Sequence, residues 1–204
     1  MGKLFVISAP SGTGKTSLIE SALADPNSSK TKLGISCTTR EKRPKEEHGV
    51  SYFFISQQEF INKINRNEFL EYAEVFGNLY GTPKDWVLSV LEEGKNVILE
   101  LDIQGALQVK EAFPEAKTIF IIPPSYEDLS NRLKKRAQDP PGAINTRLKE
   151  ARKEVGIGKD FDQIIVNNDF DEALDDLKKF IFLNDMPSTE RKEESKISLN
   201  LLLD

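Results

Sequence analysis

Residues 9–16, Ala-Pro-Ser-Gly-Thr-Gly-Lys-Thr, have the types and spacing of a loop that wraps a polyphosphate. Glycines let backbone amides approach phosphate oxygens, the Lys15 ammonium can reach the β- and γ-phosphates, and the Thr16 hydroxyl can coordinate a magnesium ion. The loop follows an apolar run at residues 4–7 and precedes a helical pattern from Ser17, where the helix dipole favours an anion. The segment therefore predicts a nucleoside-triphosphate site.

Ala9 departs from the pattern G-x-x-x-x-G-K-[ST], which begins with glycine. Alanine is small enough for the loop to keep its shape. The competing interpretation is a glycine-rich turn between a strand and a helix, with an exposed lysine. The succession of strand pattern, loop and helix pattern favours the phosphate site over this alternative.

A second group of residues suits a phosphate monoester. Arg40 and Arg43 are close in sequence, and planar guanidinium groups bind phosphate oxygens in pairs. Tyr52 and Tyr80 can add neutral hydroxyl donors. The alternative is a solvated basic loop with two core tyrosines. The phosphate-binding loop elsewhere in the chain favours the phosphate site.

Glu71 lies in the apolar and aromatic stretch Phe-Leu-Glu-Tyr-Ala at residues 69–73, and a carboxylate buried there needs hydrogen-bond donors. Guanine offers its N1–H and exocyclic amino group side by side, whereas adenine has a lone pair at N1 that repels a carboxylate. Hydroxyls of Ser36 and Thr82 can donate to guanine O6 or N7. An exposed strand face is the alternative for Glu71.

Two carboxylates, Glu100 and Asp102, end a predicted buried strand, where α/β proteins present ligand-binding groups. One can hold magnesium or its waters and the other can face an acceptor nucleotide; capping of the next helix by Asp102 is the alternative.

Further on, Arg132 and Arg136 are one helical turn apart, and Arg147 follows in the next segment. Such guanidinium groups, delivered by a closing flap, would offset charge on a transferring phosphoryl group; a basic helix surface is the competing account.

The elements that must position these residues alternate between strands and helices. Apolar runs without period-two alternation predict strands buried on both faces at residues 4–7, 97–101, 118–122 and 163–166. Helical patterns occur at residues 17–24, 83–93, 104–113, 126–137, 143–155 and 171–183. The alternation predicts an α/β fold with a parallel sheet and crossover helices.

Three segments depart from this alternation. Residues 34–81 predict an inserted lobe, with antiparallel strands at 50–55 and 69–76 around a short helix at 57–65. Residues 132–159, with Asp-Pro-Pro-Gly at 139–142, predict a mobile flap, for which a surface helical hairpin is the alternative. Residues 187–204 form a charged and then leucine-rich tail that can be disordered, pack on its own core or mediate self-association.

The chain has 204 residues, a formal net charge of −5, one cysteine and one histidine. Cys37 has no partner for an intramolecular disulfide, and with His48 alone it gives no zinc cluster, so we expect a reducing cytosol. No apolar run reaches ~18 residues and the first run is too short for a signal peptide, so we expect a cytoplasmic chain without a membrane partner. The negative charge argues against a nucleic-acid partner.

Eight short blocks, in order along the chain, resemble guanylate kinases over residues 3–184. The blocks are Ala9-Pro10-Ser11-Gly12-Thr13-Gly14-Lys15, Thr38-Thr39-Arg40, Arg43-Pro44, Tyr52-Phe53-Phe54, Phe69-Leu70-Glu71, Phe76-Gly77-Asn78-Leu79-Tyr80-Gly81-Thr82, Asp102-Ile103-Gln104-Gly105 and Ile165-Val166-Asn167-Asn168-Asp169. That family commonly has alanine at the position of Ala9. The resemblance implies magnesium-dependent transfer of the ATP γ-phosphoryl to GMP, giving ADP and GDP.

The resemblance also implies an α/β P-loop kinase fold with a parallel five-stranded core sheet flanked by helices. The core would comprise residues 1–33, 83–131 and 160–186, with an inserted mixed α/β GMP-binding lobe at 34–82, a helical lid at 132–159 and a C-terminal tail at 187–204. Self-association through this tail would give a homo-oligomer.

Roles are implied residue by residue. ATP would be bound by Ala9, Pro10, Ser11, Gly12, Thr13, Gly14, Lys15, Thr16, Ser17, Arg132 and Asn168. GMP would be bound by Ser36, Arg40, Arg43, Glu46, Tyr52, Glu71, Tyr80, Thr82 and Asp102. The catalytic residues would be Lys15, Arg136 and Arg147, and Mg²⁺ would be held by Thr16 and Glu100. No general base is needed, because the accepting phosphate is already anionic.

Three departures from the family pattern concern the metal ligand and the lid. Glu100 stands where similar kinases more often have aspartate, Ala137 replaces a glycine, and Pro-Pro-Gly at 140–142 changes the loop that follows. Arg136 and Arg147 remain, so we expect activity to be retained. Two other functions stay open: a catalytically silent guanylate-kinase-like module that binds phosphopeptides, and a monophosphate kinase for another base. Lys15 and Thr16 favour the enzyme.

Overall fold

The computed structural model describes residues 1–75, 77–136, 143–183 and 185–204; for residues 136 and 143 it describes the backbone alone. The chain forms two compact units, which are described separately. Unit 1 comprises Met1–Val6 and Lys30–Lys117, and unit 2 comprises Ile7–Ser29 and Thr118–Asp204. Among the described residues, no helix combines the length and the apolar character needed to cross a membrane.

Nine strands occur in the described chain. They are β1 (Leu4–Ser8), β2 (Thr31–Leu33), β3 (Cys37–Thr38), β4 (Phe53–Phe54), β5 (Phe69–Val75), β6 (Asn78–Pro83), β7 (Asn96–Glu100), β8 (Lys117–Ile122) and β9 (Gln163–Val166). Five of them form a parallel sheet in the order β2-β7-β1-β8-β9, which confirms the predicted α/β class. All residues of β1 are buried, in keeping with its continuous apolar run. The three-residue strand β2 lacks such a run, and the sequence pattern missed it.

The described residues also form eight α-helices, of which six lie between strands and two follow β9. They are α1 (Lys15–Leu23), α2 (Gln57–Asn65), α3 (Lys84–Glu92), α4 (Ile103–Ala112), α5 (Tyr126–Arg136), α6 (Ala143–Gly158), α7 (Phe170–Lys178) and α8 (Thr189–Leu203). Ser56 accepts a hydrogen bond from the Glu59 amide and so caps α2, and Gly94 ends α3 with φ +76°. A π-helical turn, Lys179–Leu183, continues α7.

The second sheet lies in unit 1 and has the order β4-β3-β6-β5. Strands β5 and β6 form an antiparallel hairpin, but β4 pairs with β3 in parallel, so the prediction of antiparallel strands was wrong for β4. The reason is the long connection after β3, which returns the chain so that β4 enters the sheet in the same direction. Val50, predicted to begin that strand, is 65% exposed and lies in a turn.

In unit 2, α5 and α6 cover the region predicted as a flap, and their apolar residues Leu129, Leu133 and Ala151 form one buried cluster. The predicted loop at 139–142 and Ala137 lie outside the described residues, as do Phe76 and Asn184. The C-terminal tail forms α8, which packs on β9 and α6. Of the three fates that the sequence left open for this tail, packing on its own unit is the one observed. The boundaries of core, lobe and lid remain predictions.

Candidate functional site

The phosphate-binding loop joins β1 to α1 and has the geometry that its glycines require. Gly12 and Gly14 have φ of +96° and +97°, in the left-handed region that favours glycine. The Thr13 amide donates to the Pro10 carbonyl at 3.2 Å, and the Thr13 hydroxyl donates to the same oxygen. Gly14 is the N-cap of α1 and supplies no side-chain cap. The helix therefore begins with its positive end beside the loop, as an anion site requires.

Residues from the end of the sheet and from α5 support this loop. The Asn167 side-chain amide donates to the Thr13 carbonyl at 2.7 Å. Arg132 donates to the Asn167 carbonyl at 2.7 Å and to the Thr13 carbonyl at 3.3 Å. A Cβ atom at Gly12 would lie 2.8 Å from Leu133 of α5, so the loop packs directly on that helix. Arg132 is thus placed against the loop backbone.

The structure describes the side chain of Arg147 but not that of Arg136, the two arginines of unit 2 predicted to be catalytic. Arg147 of α6 lies 3.4 Å from the Ser11 hydroxyl, which brings this predicted catalytic side chain to the loop. Arg136 is the last residue of α5, and its side chain is outside the described part. Asn168, a predicted ATP ligand, lies 3.5 Å from Glu194 of α8.

In unit 1, Glu71 is buried, with 4% of its surface exposed, which excludes the exposed strand face. The antiparallel pairing of β5 with β6 places it opposite Thr82, whose hydroxyl donates to Glu71 Oε1 at 2.7 Å. The Ser36 hydroxyl lies 3.3 Å from the Thr82 hydroxyl. The three residues predicted to surround guanine therefore form one contiguous polar chain.

Burial raises the pKa of the Glu71 carboxyl to about 7, the Thr82 hydrogen bond opposes this, and the nearby Asp102 carboxylate adds to it. Asp102 caps α4 by accepting a hydrogen bond from the Gly105 amide at 2.8 Å. The capping role that the sequence suggested for Asp102 is therefore present, and the same carboxylate influences Glu71. A strongly perturbed buried carboxyl of this kind is typical of a functional site.

A cradle of donors forms around Arg40, also in unit 1. The Arg40 guanidinium donates to Tyr80 Oη at 3.2 Å and to Glu46 Oε1 at 2.7 Å, and it lies 5.6 Å from the Tyr52 ring centre. Glu46 also accepts from the Arg43 backbone amide at 2.9 Å. Burial, followed by the charge of Glu100, raises the pKa of Tyr52, so its hydroxyl stays neutral. An arginine with two neutral phenols is suited to binding a phosphate monoester.

Glu46 is predicted to bind GMP, but in the structure its carboxylate binds Arg40 and Arg43. A carboxylate repels a phosphate, so its part is to hold the Arg40 guanidinium and the Arg43 main chain in place. Gly105 and Asn167 lie within the motif blocks, but they received no role from the sequence. A missing side chain and an interior amide give no chemical signal until their neighbours are known.

The predicted magnesium ligands are both oxygen donors, which is the chemistry that Mg²⁺ prefers. Thr16 is exposed in the first turn of α1, and Glu100 is half-buried at the carboxyl end of β7. Within the described ranges, no cluster of three or more His, Cys, Asp or Glu side chains could form a metal cage. One or two such oxygens match a magnesium ion that is carried mainly by substrate phosphates and water.

The loop between β1 and α1, the parallel sheet that presents it and the separate phosphate cradle define a P-loop nucleotide kinase. Comparison with known proteins identifies the kind of kinase. A family model described as guanylate kinase matches residues 1–184. The chain belongs to the guanylate kinase family.

Individual relatives agree with this assignment. The chain is 51% identical to a guanylate kinase of Hahella chejuensis over 87% of this chain and 84% of that protein. It is 44% identical to a guanylate kinase of Vibrio cholerae over 99% and 98% of the two chains. The crystal structure of guanylate kinase from Anaplasma phagocytophilum superposes with a TM-score of 0.72 at 32% identity, covering 93% of this chain and 89% of that one.

Proposed function

We propose that this kinase uses magnesium-bound ATP and GMP as its substrates through the residues described above. The chain is an ATP:GMP phosphotransferase, a nucleoside monophosphate kinase. The observation that carries the residue assignment is the buried pair of Glu71 and Thr82. A desolvated carboxylate needs donors, and guanine supplies two on adjacent atoms.

The lobe residues divide between the two ends of GMP. Ionised Glu71 accepts from guanine N1–H and the exocyclic amino group, while Ser36 and Thr82 contact the O6 side and Asp102 lies beside them. Arg40 and Arg43 bind the phosphate as charged donors, and Tyr52 and Tyr80 add neutral ones. Glu46 orients Arg40 through their 2.7 Å ion pair.

ATP is bound by the loop from Ala9 to Ser17, whose backbone amides and helix N-terminus hold its phosphates. Lys15 contacts the transferred phosphoryl group, and Arg136 and Arg147 offset the charge that it develops. Arg132 and Asn168 complete the nucleotide site. Thr16 in unit 2 is a proposed magnesium ligand and Glu100 in unit 1 is the second candidate; bound magnesium would supply positive charge to the phosphates of ATP. Positioning and charge stabilisation carry the step, since GMP is already anionic.

The two competing functions are not favoured. Adenine presents a lone pair where Glu71 presents a negative charge, so the buried carboxylate disfavours AMP as acceptor. A phosphopeptide-binding module has no use for a triphosphate loop, yet Gly12 and Gly14 retain the left-handed geometry of one. The relatives named guanylate kinase cover nearly the whole chain.

A coupled assay tests substrate choice directly. ATP with magnesium is offered with GMP, AMP, CMP or UMP separately, and release of ADP is followed. We expect turnover with GMP alone. Glu71→Gln, which puts a donor opposite guanine's donors, should lose the preference for GMP over AMP, whereas Glu74→Gln on the same strand should keep it. No turnover with GMP would refute the proposal.

We also propose that the chain works in the cytosol and associates with itself through the outer face of α8. Ile197 and Leu201, one helical turn apart, are 54% and 64% exposed. Size-exclusion chromatography with light scattering should give an oligomer for the native chain. It should give a monomer for the double variant Ile197→Glu, Leu201→Glu. The same mass for the native chain and the double variant would contradict association through this face.

A further inference from the structure

The C-terminal helix α8 lies beyond the residues that the family model matches, yet it contacts β9, the strand followed by Asn167, whose side chain binds the phosphate-binding loop. Its inner face carries Arg191, Ser195, Ser198 and Leu202, spaced four, three and four residues apart. Such spacing places the four side chains on one side of a helix. The last three are buried, and the Arg191 guanidinium is largely so.

Two side chains of this face bind the main chain of Val166, the last residue of β9. Arg191 Nη2 lies 3.4 Å from the Val166 carbonyl oxygen. On the other side of the same residue, the Val166 amide donates to Ser195 Oγ at 3.4 Å. Because β9 is an edge strand of the sheet, these two groups would otherwise lack a strand partner. The helix α8 therefore completes the edge at the point where β9 ends.

The Arg191 guanidinium is itself held in place. Its Nε donates to Asp176 Oδ2 at 2.9 Å, and its Nη1 donates to Glu172 at 2.9 Å and to Glu194. Asp176 is 2% exposed and Arg191 is its ion-pair partner, so both side chains are fixed by burial as well as by charge. With Nε and Nη1 bound to these three carboxylates, the planar guanidinium has a fixed orientation, and its Nη2 faces the Val166 carbonyl.

The next residue, Asn167, connects the end of β9 to the phosphate-binding loop through its hydrogen bonds. Its backbone amide donates to the Ile122 carbonyl at 2.8 Å, and its side-chain amide donates to the Thr13 carbonyl at 2.7 Å. A Cβ atom at Gly14 would lie 2.7 Å from Asn167 Nδ2. In a planar trans peptide the C=O and the following N–H point in opposite directions. Holding the Thr13 carbonyl on Asn167 therefore turns the Gly14 N–H away from Asn167, to the side on which the ATP phosphates are proposed to bind.

We propose that α8 is a positioning element of the ATP site, with Arg191 and Ser195 holding Val166 so that Asn167 fixes the peptide between Thr13 and Gly14. This inference rests on the proposed use of that loop to bind ATP phosphates. None of these residues contacts substrate. Their effect is to orient the Gly14 amide toward the position of an ATP phosphate before ATP binds.

The test uses the full-length protein and four single variants. Asn167→Asp removes the shorter of the two hydrogen bonds to the Thr13 carbonyl and leaves the one from Arg132. Arg191→Lys keeps a charge for Asp176 but loses the planar fork, and Ser195→Ala removes the acceptor for the Val166 amide. Lys196→Ala is the control, an exposed residue on the same helix. For each protein, kcat, the KM values for ATP and GMP, the dissociation constant of ATP and the melting temperature are measured.

We expect the KM for ATP to rise about tenfold in Asn167→Asp and about threefold in Arg191→Lys and Ser195→Ala, with the KM for GMP unchanged. Lys196→Ala should match the native protein. The double variant Arg191→Lys, Asn167→Asp should have the KM of Asn167→Asp alone, because α8 acts through Asn167.

Three outcomes would overturn the inference: a lower melting temperature and kcat with an unchanged KM for ATP, equal changes in both KM values, or multiplied effects in the double variant. Absence of GMP-dependent turnover in the native protein would instead refute the proposed function. In that case the dissociation constant of ATP still tests the role of α8, so the two failures are distinguishable.

Discussion

Gly105 faces Glu71 so closely that a Cβ atom at position 105 would lie 2.6 Å from Glu71 Oε2. The same atom would lie 3.3 Å from Asp102 Oδ1. Gly105 lies in the first turn of α4, where its backbone amide donates to the side chain of Asp102, the N-cap residue of the helix. The absence of a side chain at this position therefore gives the Glu71 carboxylate the space in which it lies.

Gly105→Ala should reduce kcat/KM for GMP by about 10- to 100-fold, because a displacement of about 1 Å at a binding group has effects of this size. The KM for ATP should stay unchanged. The fold should survive, since Glu71 can move its carboxylate end and alanine favours a helix over glycine by about 1 kcal/mol. Steady-state kinetics and a melting curve measure both effects.

Gly156→Ala is the matched control, because Gly156 lies within α6 and a Cβ atom there would meet no atom within 4 Å. This variant should retain full activity and gain stability. Equal losses of GMP activity in both variants would show that the effect comes from helix stiffening. Unchanged GMP kinetics in Gly105→Ala would show that Glu71 binds GMP equally well after it moves.

The raised pKa of Glu71 predicts that guanine binding depends on pH. Only the ionised carboxylate accepts both guanine donors, and the pKa of this group in the free protein is raised to about 7. Guanosine is the ligand to use, since the GMP phosphate has its own pKa near 6. Its affinity should be constant above about pH 8 and fall by up to tenfold per unit below about pH 7.

Isothermal titration calorimetry in buffers with different ionisation enthalpies should show release of a proton from the protein on guanosine binding near pH 6.5. Glu71→Gln should bind more weakly and lose this pH dependence. An affinity for guanosine that is flat from pH 8 to pH 5.5 in the native protein would place Glu71 outside the site.

The raised pKa of Glu71 also means that this carboxylate lowers the free energy of unfolding at high pH. A carboxyl whose folded pKa is raised from 4.5 to about 7 contributes its full stability below pH 4.5 and loses it progressively as the pH rises through 7. Glu71→Gln removes a buried charge at high pH, so its gain in unfolding free energy should be about 2 kcal/mol larger at pH 8 than at pH 5.5. Urea unfolding without ligand measures this difference. A gain that is larger at pH 5.5 would contradict the assigned pKa.

The apolar neighbours of Glu71 left both a buried carboxylate and an exposed strand face open, and the sequence did not indicate the contact with Thr82. That contact depends on the register of the β5–β6 hairpin, which pairs Glu71 with Thr82. The sequence supplied the two residue types, and the family resemblance supplied their common role.

The role of Gly105 could not be predicted from the sequence for a different reason. A glycine in a helix is ordinarily unfavourable, and its reason here is the carboxylate that lies opposite in space. In α8, Ser195 and Ser198 face inward while Leu201 faces solvent, so the apolar residues do not mark the buried face. The inner face of α8 is polar because it binds an edge strand and a buried ion pair. No periodicity of apolar residues reveals such a face.

Arg40→Met should weaken GMP binding by about 10- to 100-fold while leaving guanosine binding unchanged, because it removes charged hydrogen bonds to the phosphate alone. Equilibrium dialysis with both ligands measures the difference. Arg66→Met is the control, since Arg66 is a highly exposed arginine of the same unit that pairs only loosely with Glu68. Equal losses for guanosine and GMP would mean that Arg40 shapes the whole lobe rather than the phosphate cradle.

The Lys15→Ala variant should lose most of its turnover while it still binds GMP. Lys15 is the first residue of α1, next to the N-cap Gly14, and its ammonium is assigned to the phosphates of ATP. Removing a group that stabilises charge in the transition state lowers kcat by about 100-fold or more. The dissociation constant of GMP should stay within about twofold of the native value, since the lobe residues proposed to bind GMP are unaltered. Single-turnover kinetics with excess ATP would measure the chemical step, and Lys192→Ala, an exposed lysine of α8, provides the control. If GMP binding were lost together with turnover, Lys15 would act on the acceptor, and the division of residues between the two nucleotides would have to be reversed.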